Sequence, residues 1–224
     1  MELINNSAVI VFDLDDTLFP ERDFVLGGFH AVGAFLGVES RFYELAAQHF
    51  ERGERGAIFD AVLAEMEIPK TPELIKNLVA VYRGHTPTLA LGETEASLLR
   101  ALRQAGKKLG IITDGYLAEQ QKKVEALGLQ SFVDAVIYSD TWGRSAWKPS
   151  PVPFRELEKA LHVSAADCVY IGDNPEKDFL GARRAGWSSV RLRLPAREHS
   201  SDPATGIYAP DVEIPAFTTL FPNS

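Results

Sequence analysis

The sequence predicts an α/β fold: a mainly parallel sheet flanked by helices, with a small α-helical domain inserted near its start. Three observations predict it. Ala8-Val9-Ile10-Val11-Phe12 is apolar without alternation, as a strand buried on both faces of a parallel sheet must be. From Thr86 onward, helical stripes and short apolar runs take turns, the pattern of a sheet built from strand–helix–strand units. Between the two, from about Pro20 to His85, one helical stripe follows another with no good strand. Residues 1–19 and 86–224 are therefore expected to form the core domain, and residues 20–85 a helical domain set into it.

In the insert, Pro20-Glu21-Arg22-Asp23 is a polar turn that leaves the sheet. Val25, Phe29, Val32 and Leu36 recur at helical spacing and stop at Gly37, a residue suited to a helix end. Phe42, Leu45, Ala46 and His49 make a second stripe. Phe59, Val62, Leu63 and Met66 make a third, stopped near Pro69. Leu74, Leu78 and Val81 make a fourth, which opens after Thr71-Pro72 and ends near Gly84.

In the core, Glu95 to Ala105 reads as a helix closed by Gly106, and Leu109 to Ile112 as a strand ending in Thr113-Asp114-Gly115. Tyr116 to Leu127 is a polar-faced helix closed by Gly128, and Ala135 to Tyr138 a strand. Ser139 to Pro153 reads as a long loop carrying Trp147-Lys148-Pro149, followed by a helix with Phe154, Leu157 and Leu161 on one side. Cys168 to Ile171 is a strand ending in Gly172-Asp173-Asn174-Pro175, Glu176 to Ala185 a helix, and Ser189 to Leu192 a strand. In the tail, residues 196–206 read as a polar surface loop and Val212-Glu213-Ile214 as a short edge strand.

With 224 residues, 46% of them hydrophobic, the chain can bury a core. Its net charge of −8 argues against a broad surface for nucleic acid or anionic lipid. A small phosphorylated substrate fits, because one lysine and a metal make a local positive site. The single cysteine, Cys168, rules out an intrachain disulfide and fits a reducing compartment. The first residues show no signal-like pattern, and no apolar run is long enough to span a bilayer. A cytoplasmic protein is expected, with no nucleic-acid or membrane partner and an oligomeric state left open.

The chemistry lies at the strand ends. Asp13, Asp15 and Asp16 arrive within four residues of the buried first strand. Like charges so close cost free energy unless something positive sits among them. Asp13 and Asp15 are two apart and leave the same face of an extended backbone, which suits a hard cation such as Mg²⁺. A solvated acidic turn explains the same residues equally well. Thr113 or Asp114 also suits a helix cap, Lys148 a surface lysine, and Asp178 the first turn of a helix. What changes the reading is their common position at the carboxyl edge of one sheet, where open α/β folds bind ligands. Together they suit phosphoryl transfer through a covalent intermediate. Asp13 is then the nucleophile. Mg²⁺ held by Asp13 and Asp173 neutralises the phosphate on one side and Lys148 on the other. The Thr113 hydroxyl and the Asp114 backbone N–H hold a phosphate oxygen. Asp15 protonates the leaving oxygen and later deprotonates the attacking water.

These residues resemble the motifs of the haloacid dehalogenase (HAD) superfamily of phosphohydrolases. Asp13-Leu14-Asp15-Asp16-Thr17-Leu18 matches its first motif, Thr113 within Ile111-Ile112-Thr113-Asp114-Gly115 its second, and Lys148 within Trp147-Lys148-Pro149 its third. Gly172-Asp173-Asn174-Pro175-Glu176-Lys177-Asp178 matches its fourth. The resemblance implies a Rossmann-like, HAD-like core with a helical cap after the first motif. It also implies that Asp15 offers its backbone carbonyl to Mg²⁺ and that Asp178 supports the metal site. The expected activity is a Mg²⁺-dependent phosphatase acting on a small phosphomonoester. A phosphomutase shares every motif. A dehalogenase of the family lacks the acid found here as Asp15. A non-enzymatic phosphoryl-accepting signalling module carries its acceptor on a later strand and needs no lid.

Overall fold

The computed structural model describes residues 2–195, 197–199 and 203–221. The chain divides into two compact units, one of Met1–Pro20 with Ala90–Ser224 and one of Glu21–Leu89.

The first unit is built on a six-stranded sheet. A short helix α1 (Glu2–Asn6), which the sequence reading did not anticipate, leads into β1 (Val9–Phe12). Four helices, α2 (Glu21–Leu36), α3 (Glu39–Glu51), α4 (Ile58–Glu65) and α5 (Pro72–Gly84), make up the second unit. The first unit then resumes with α6 (Glu93–Gln104), β2 (Lys108–Thr113), α7 (Leu117–Ala126) and β3 (Ala135–Tyr138). It continues with α8 (Val152–Leu161), β4 (Cys168–Gly172), α9 (Asp178–Ala185), β5 (Ser188–Leu192) and β6 (Val212–Ile214).

The strands lie in the order β3-β2-β1-β4-β5-β6, and every neighbouring pair is parallel. All four residues of β1 are fully buried, as their unbroken apolar run requires. Val9 sits opposite Lys108 on β2 and Cys168 on β4; Phe12 sits opposite Ile111 and Ile171. The chain builds outward from β1 to β2 and β3, then crosses to build β4, β5 and β6 on the other side. The carboxyl ends of β2, β1 and β4 are therefore adjacent at the point where strand order reverses, the crevice in which such sheets bind ligands.

Each unit has its own apolar core. That of the sheet includes Val9, Val11, Ile112, Phe154, Tyr170 and Trp187. That of the helical unit includes Phe29, Val32, Phe42, Leu45, Val62 and Leu78. Helix α5 opens on Thr71, whose hydroxyl accepts from the Leu74 amide at 3.1 Å, with Pro72 at its first position. The helical unit also carries a partly open pocket of about 280 Å³ walled by Phe29, Phe50, Phe59 and Tyr82, with Arg55 and Arg83 at its lining.

Some sequence expectations are revised. Ser139 to Pro153 is not a plain loop. It holds short 3₁₀ turns at Ser139–Trp142 and Arg144–Ala146, and α8 already begins at Val152. The helix expected from Glu176 begins at Asp178, because the Asn174 side chain first holds the Glu176 amide at 2.9 Å in a turn. In the tail, Val212–Ile214 is the expected edge strand, paired parallel to β5. Of the expected surface loop over 196–206, residues 196 and 200–202 lie outside the described residues. Among the described residues, no helix is long and apolar enough to cross a membrane.

Candidate active site

Strand β1 ends at Phe12, and the Asp13 amide closes the pairing by donating to the Ile171 carbonyl at 2.8 Å. The chain then turns sharply. Leu18 N–H bonds back to the Leu14 carbonyl at 2.9 Å, and Asp16 takes a left-handed conformation with φ 55°, which aspartate tolerates better than most side chains. Because β1 stops here, the extended-backbone argument for a shared face of Asp13 and Asp15 does not hold. Their carboxylates go to different partners.

Asp13 is buried and accepts from the Lys148 ammonium at 2.6 Å. Lys148 also lies 2.8 Å from Asp178 Oδ1 and donates to the Tyr170 hydroxyl at 2.7 Å. Asp178 is the first residue of α9; its Oδ2 accepts from the Asn174 amide at 3.0 Å, which ties the β4–α9 turn to the site. Gly172 ends β4 without a side chain, and a Cβ there would run into the Asp178 carboxylate. Asp173 accepts from the Thr17 hydroxyl at 3.3 Å through Oδ1, while its Oδ2 is buried with no hydrogen-bond partner among the described residues.

The charges follow from this packing. Burial works against ionisation of Asp13, but Lys148 and Lys177 outweigh it and hold the carboxyl below its usual range. Burial likewise disfavours the Lys148 ammonium, but Asp13 and then Asp178 hold its pKa well above the ordinary value. For Asp173 the balance reverses, and Lys177 does not offset the opposing effects. Burial, then Asp178 and Asp13, push its pKa up to about 9. Oxygens of Asp13, Asp173 and Asp178 all lie within 4.8 Å of one another. A buried all-carboxylate set with one oxygen unsatisfied and one acid disfavoured as an anion fits a hard divalent cation. Asp15 is outside that set: its oxygens accept from Lys123 at 2.6 Å and from Gln120 at 2.6 Å.

Thr113 closes β2, buried, with its hydroxyl oxygen accepting from the Gln120 amide at 2.9 Å. The hydroxyl proton is directed only weakly to the Asp114 carbonyl, at 3.4 Å. Neither residue caps α7. The Leu117 amide at the start of α7 is satisfied by Asp140 at 3.1 Å, from the turn after β3. The Asp114 carboxylate instead accepts from the Ser139 hydroxyl at 2.6 Å and from the Lys148 backbone amide at 3.1 Å. It thereby fixes the loop that delivers Lys148.

The structure therefore brings Asp13, Lys148, Asp173 and Asp178 into one buried cluster, and sets Asp15, Thr113 and Asp114 beside it. Sequence reasoning missed Gln120, Lys123, Tyr170 and Lys177. Tyr170 sits in an apolar strand and reads as core. Lys177, half-buried, adds positive potential toward Asp13 and Asp178. Gln120 and Lys123 left a signal: with Val124 they occupy the inward stripe of α7, where apolar residues belong.

The chain as a whole is similar to several known proteins. The haloacid dehalogenase-like hydrolase family matches residues 8–186. A glyceraldehyde 3-phosphate phosphatase from Methanopyrus kandleri is 31% identical over 218 residues, covering 92% of this chain and 91% of its own. A phosphoglycolate phosphatase from Xanthomonas campestris pv. campestris is 30% identical over 197 residues, covering 87% and 86%. The magnesium-bound HAD-hydrolase YfnB from Bacillus subtilis superposes with a TM-score of 0.70 at 20% identity, over 96% of this chain and 97% of its own, and so shares the fold.

Proposed function

The chain belongs to the haloacid dehalogenase-like hydrolases, and from that premise we propose that it is a Mg²⁺-dependent phosphatase acting on a small phosphorylated metabolite through a phosphoaspartate at Asp13. The observation that carries this is the buried Asp13 carboxylate, kept ionised by Lys148 at 2.6 Å beside two further buried aspartates.

Asp13 attacks phosphorus, the bond from phosphorus to the substrate oxygen breaks, and Asp15 supplies that oxygen with a proton. Water then attacks the phosphoaspartate and gives its proton to Asp15; Asp13 leaves as a carboxylate and inorganic phosphate is released. Lys148 offsets the negative charge that gathers between nucleophile and phosphate. The Thr113 hydroxyl, its oxygen held by Gln120, turns its proton to a phosphate oxygen, with the Asp114 backbone N–H beside it. Asp13, Asp173 and Asp178, with the Asp15 carbonyl, would hold Mg²⁺, which supplies a fixed positive charge for the transferring phosphoryl group.

The helical unit is the cap that sets substrate choice in this reading. Glyceraldehyde 3-phosphate and phosphoglycolate, named for the relatives, head the substrates to screen. A cytoplasmic enzyme with no nucleic-acid or membrane partner fits the acidic charge and the buried lone cysteine. The test is hydrolysis of p-nitrophenyl phosphate by the purified protein. EDTA should stop it and Asp13→Asn should abolish turnover. An Asp13→Asn variant that keeps a sizeable fraction of the rate rules out the covalent route.

A further inference from the structure

Helix α7 buries unusual residues for its place in the fold. Its inward stripe is Gln120, Lys123 and Val124, at the spacing an apolar face would use. A lysine loses its hydration when buried and stays charged only if a partner replaces it. Lys123, with its side chain only 3% exposed, is met by Asp15 Oδ1 at 2.6 Å. Gln120 donates to the other oxygen, Asp15 Oδ2, also at 2.6 Å. The two carboxylate oxygens thus each have their own donor, which fixes both the position and the rotation of the group.

Gln120 does more than this. Its Nε2, with two hydrogens shared among three acceptors, also lies 2.9 Å from the Thr113 hydroxyl oxygen and against the Asp114 carbonyl. It therefore joins Asp15 to the turn assigned above to a phosphate oxygen. The turn itself is shaped around that amide. Gly115 has φ +128°, and a Cβ there would come 2.8 Å from Gln120 Nε2. A left-handed glycine and two buried polar side chains are spent on one carboxylate.

We propose that Lys123 and Gln120 are positioning residues for the proton transfers, acting through Asp15; this rests on the reading of Asp15 as the acid–base residue. They hold its carboxylate in one orientation for both steps. In the second step the water oxygen bonds to phosphorus, the phosphorus–Asp13 bond breaks, and the water proton passes to Asp15. A misplaced base slows that step, and a shift of about 1 Å costs ~10²-fold.

The test uses the full-length protein with Mg²⁺ and p-nitrophenyl phosphate. Lys123→Met should lower kcat by ~10²-fold, with KM falling alongside it because dephosphorylation limits turnover, and phosphoenzyme should accumulate, read by intact mass after acid quench. Lys123→Arg, which returns a charged donor, should recover much of the loss. The double variant Asp15→Asn/Lys123→Met should be no slower than Asp15→Asn alone, because both act through one group. Should Lys123→Met not fold, as judged by circular dichroism, Gln120→Leu carries the same readouts and leaves no charge unpaired. Parent-like turnover in these variants while Asp15→Asn is slow overturns the proposal and leaves the phosphatase reading standing. Losses that add in the double variant overturn it too. Parent-like turnover in Asp15→Asn removes the acid–base role itself, and this proposal with it.

Discussion

At the scale of single residues, the site gathers three buried aspartates, a set that fits a divalent cation. Asp173 shows it most clearly: burial, Asp178 and Asp13 all oppose its ionisation, and its Oδ2 has no hydrogen-bond partner among the described residues. A ligand that binds only the folded chain at a hundredfold its dissociation constant adds ~2.7 kcal/mol of stability. In a chain of this size that raises Tm by about 5–10 °C. Mg²⁺ should do so here. Asp173→Asn keeps the shape but removes the carboxylate. Its melting temperature in EDTA should match or exceed the parent's, and the Mg²⁺ increment should vanish. An Asn variant that gains as much from Mg²⁺ as the parent shows that Asp173 is not a ligand. Much of this cluster was legible beforehand, because its acids and its lysine fall together at the carboxyl edge of one expected sheet. Lys123 was not, because a lysine in a helix reads as solvated until the helix's inward face is known. Nor was the Asp114 side chain, whose partners Ser139 and Lys148 lie 25 and 34 residues further along the chain.

At the scale of elements, hydrophobic period carried the reading far. The four helical stripes of the insert and the strands of the core were all visible as patterns, since each presents a continuous apolar face. What period could not show was local hydrogen bonding, as in the 3₁₀ turns after β3 and the delayed start of α9. It was equally silent on how α3 and α4 are joined. His49, read only as part of an apolar stripe, is buried between two acids, with Nδ1 2.7 Å from Glu54 and Nε2 2.8 Å from Glu65. It thus links α3, the turn after it and α4. The hydrogen bond to Glu54 comes first among the causes that raise its pKa above the usual value, against the opposing effect of burial. A histidine whose folded pKa is raised binds more protons folded than unfolded. Its stabilisation is complete below the unfolded value of about 6.5 and is lost as pH rises through the folded value. Hydrogen exchange in α3 and α4 should therefore quicken, beyond its intrinsic rise, as pH climbs from 6 to 9. In His49→Gln that extra quickening should be absent. Equal pH dependence in parent and variant excludes the clasp.

At the scale of the whole molecule, the chain leaves its sheet after one strand, builds a second body, and returns to finish the first. The two apolar cores are separate: that of the sheet draws on residues before Pro20 and after Ala90, that of the helices on residues between them. Every residue proposed above to take part in the chemistry belongs to the sheet-bearing unit, as do Lys123 and Gln120, proposed to position Asp15. The chemistry and the choice of substrate are then expected to be separable. The helical unit has its own ring-lined pocket of about 280 Å³, with Arg55 and Arg83 in its lining, a combination that suits selection among organic groups. Replacing Glu21–Leu89 with a Gly/Ser linker should leave a folded core that hydrolyses p-nitrophenyl phosphate with Mg²⁺. Its kcat/KM values across a panel of sugar, three-carbon and two-carbon phosphates should converge, because the contacts proposed to select among substrates are removed. Val79→Phe, which fills the pocket while leaving the unit in place, should alter the ranking within the panel but not aryl phosphate turnover. A shortened protein that keeps the parent's ranking assigns specificity to the core. A Val79→Phe variant that keeps it while the shortened protein loses it assigns specificity to the helices but not to their pocket.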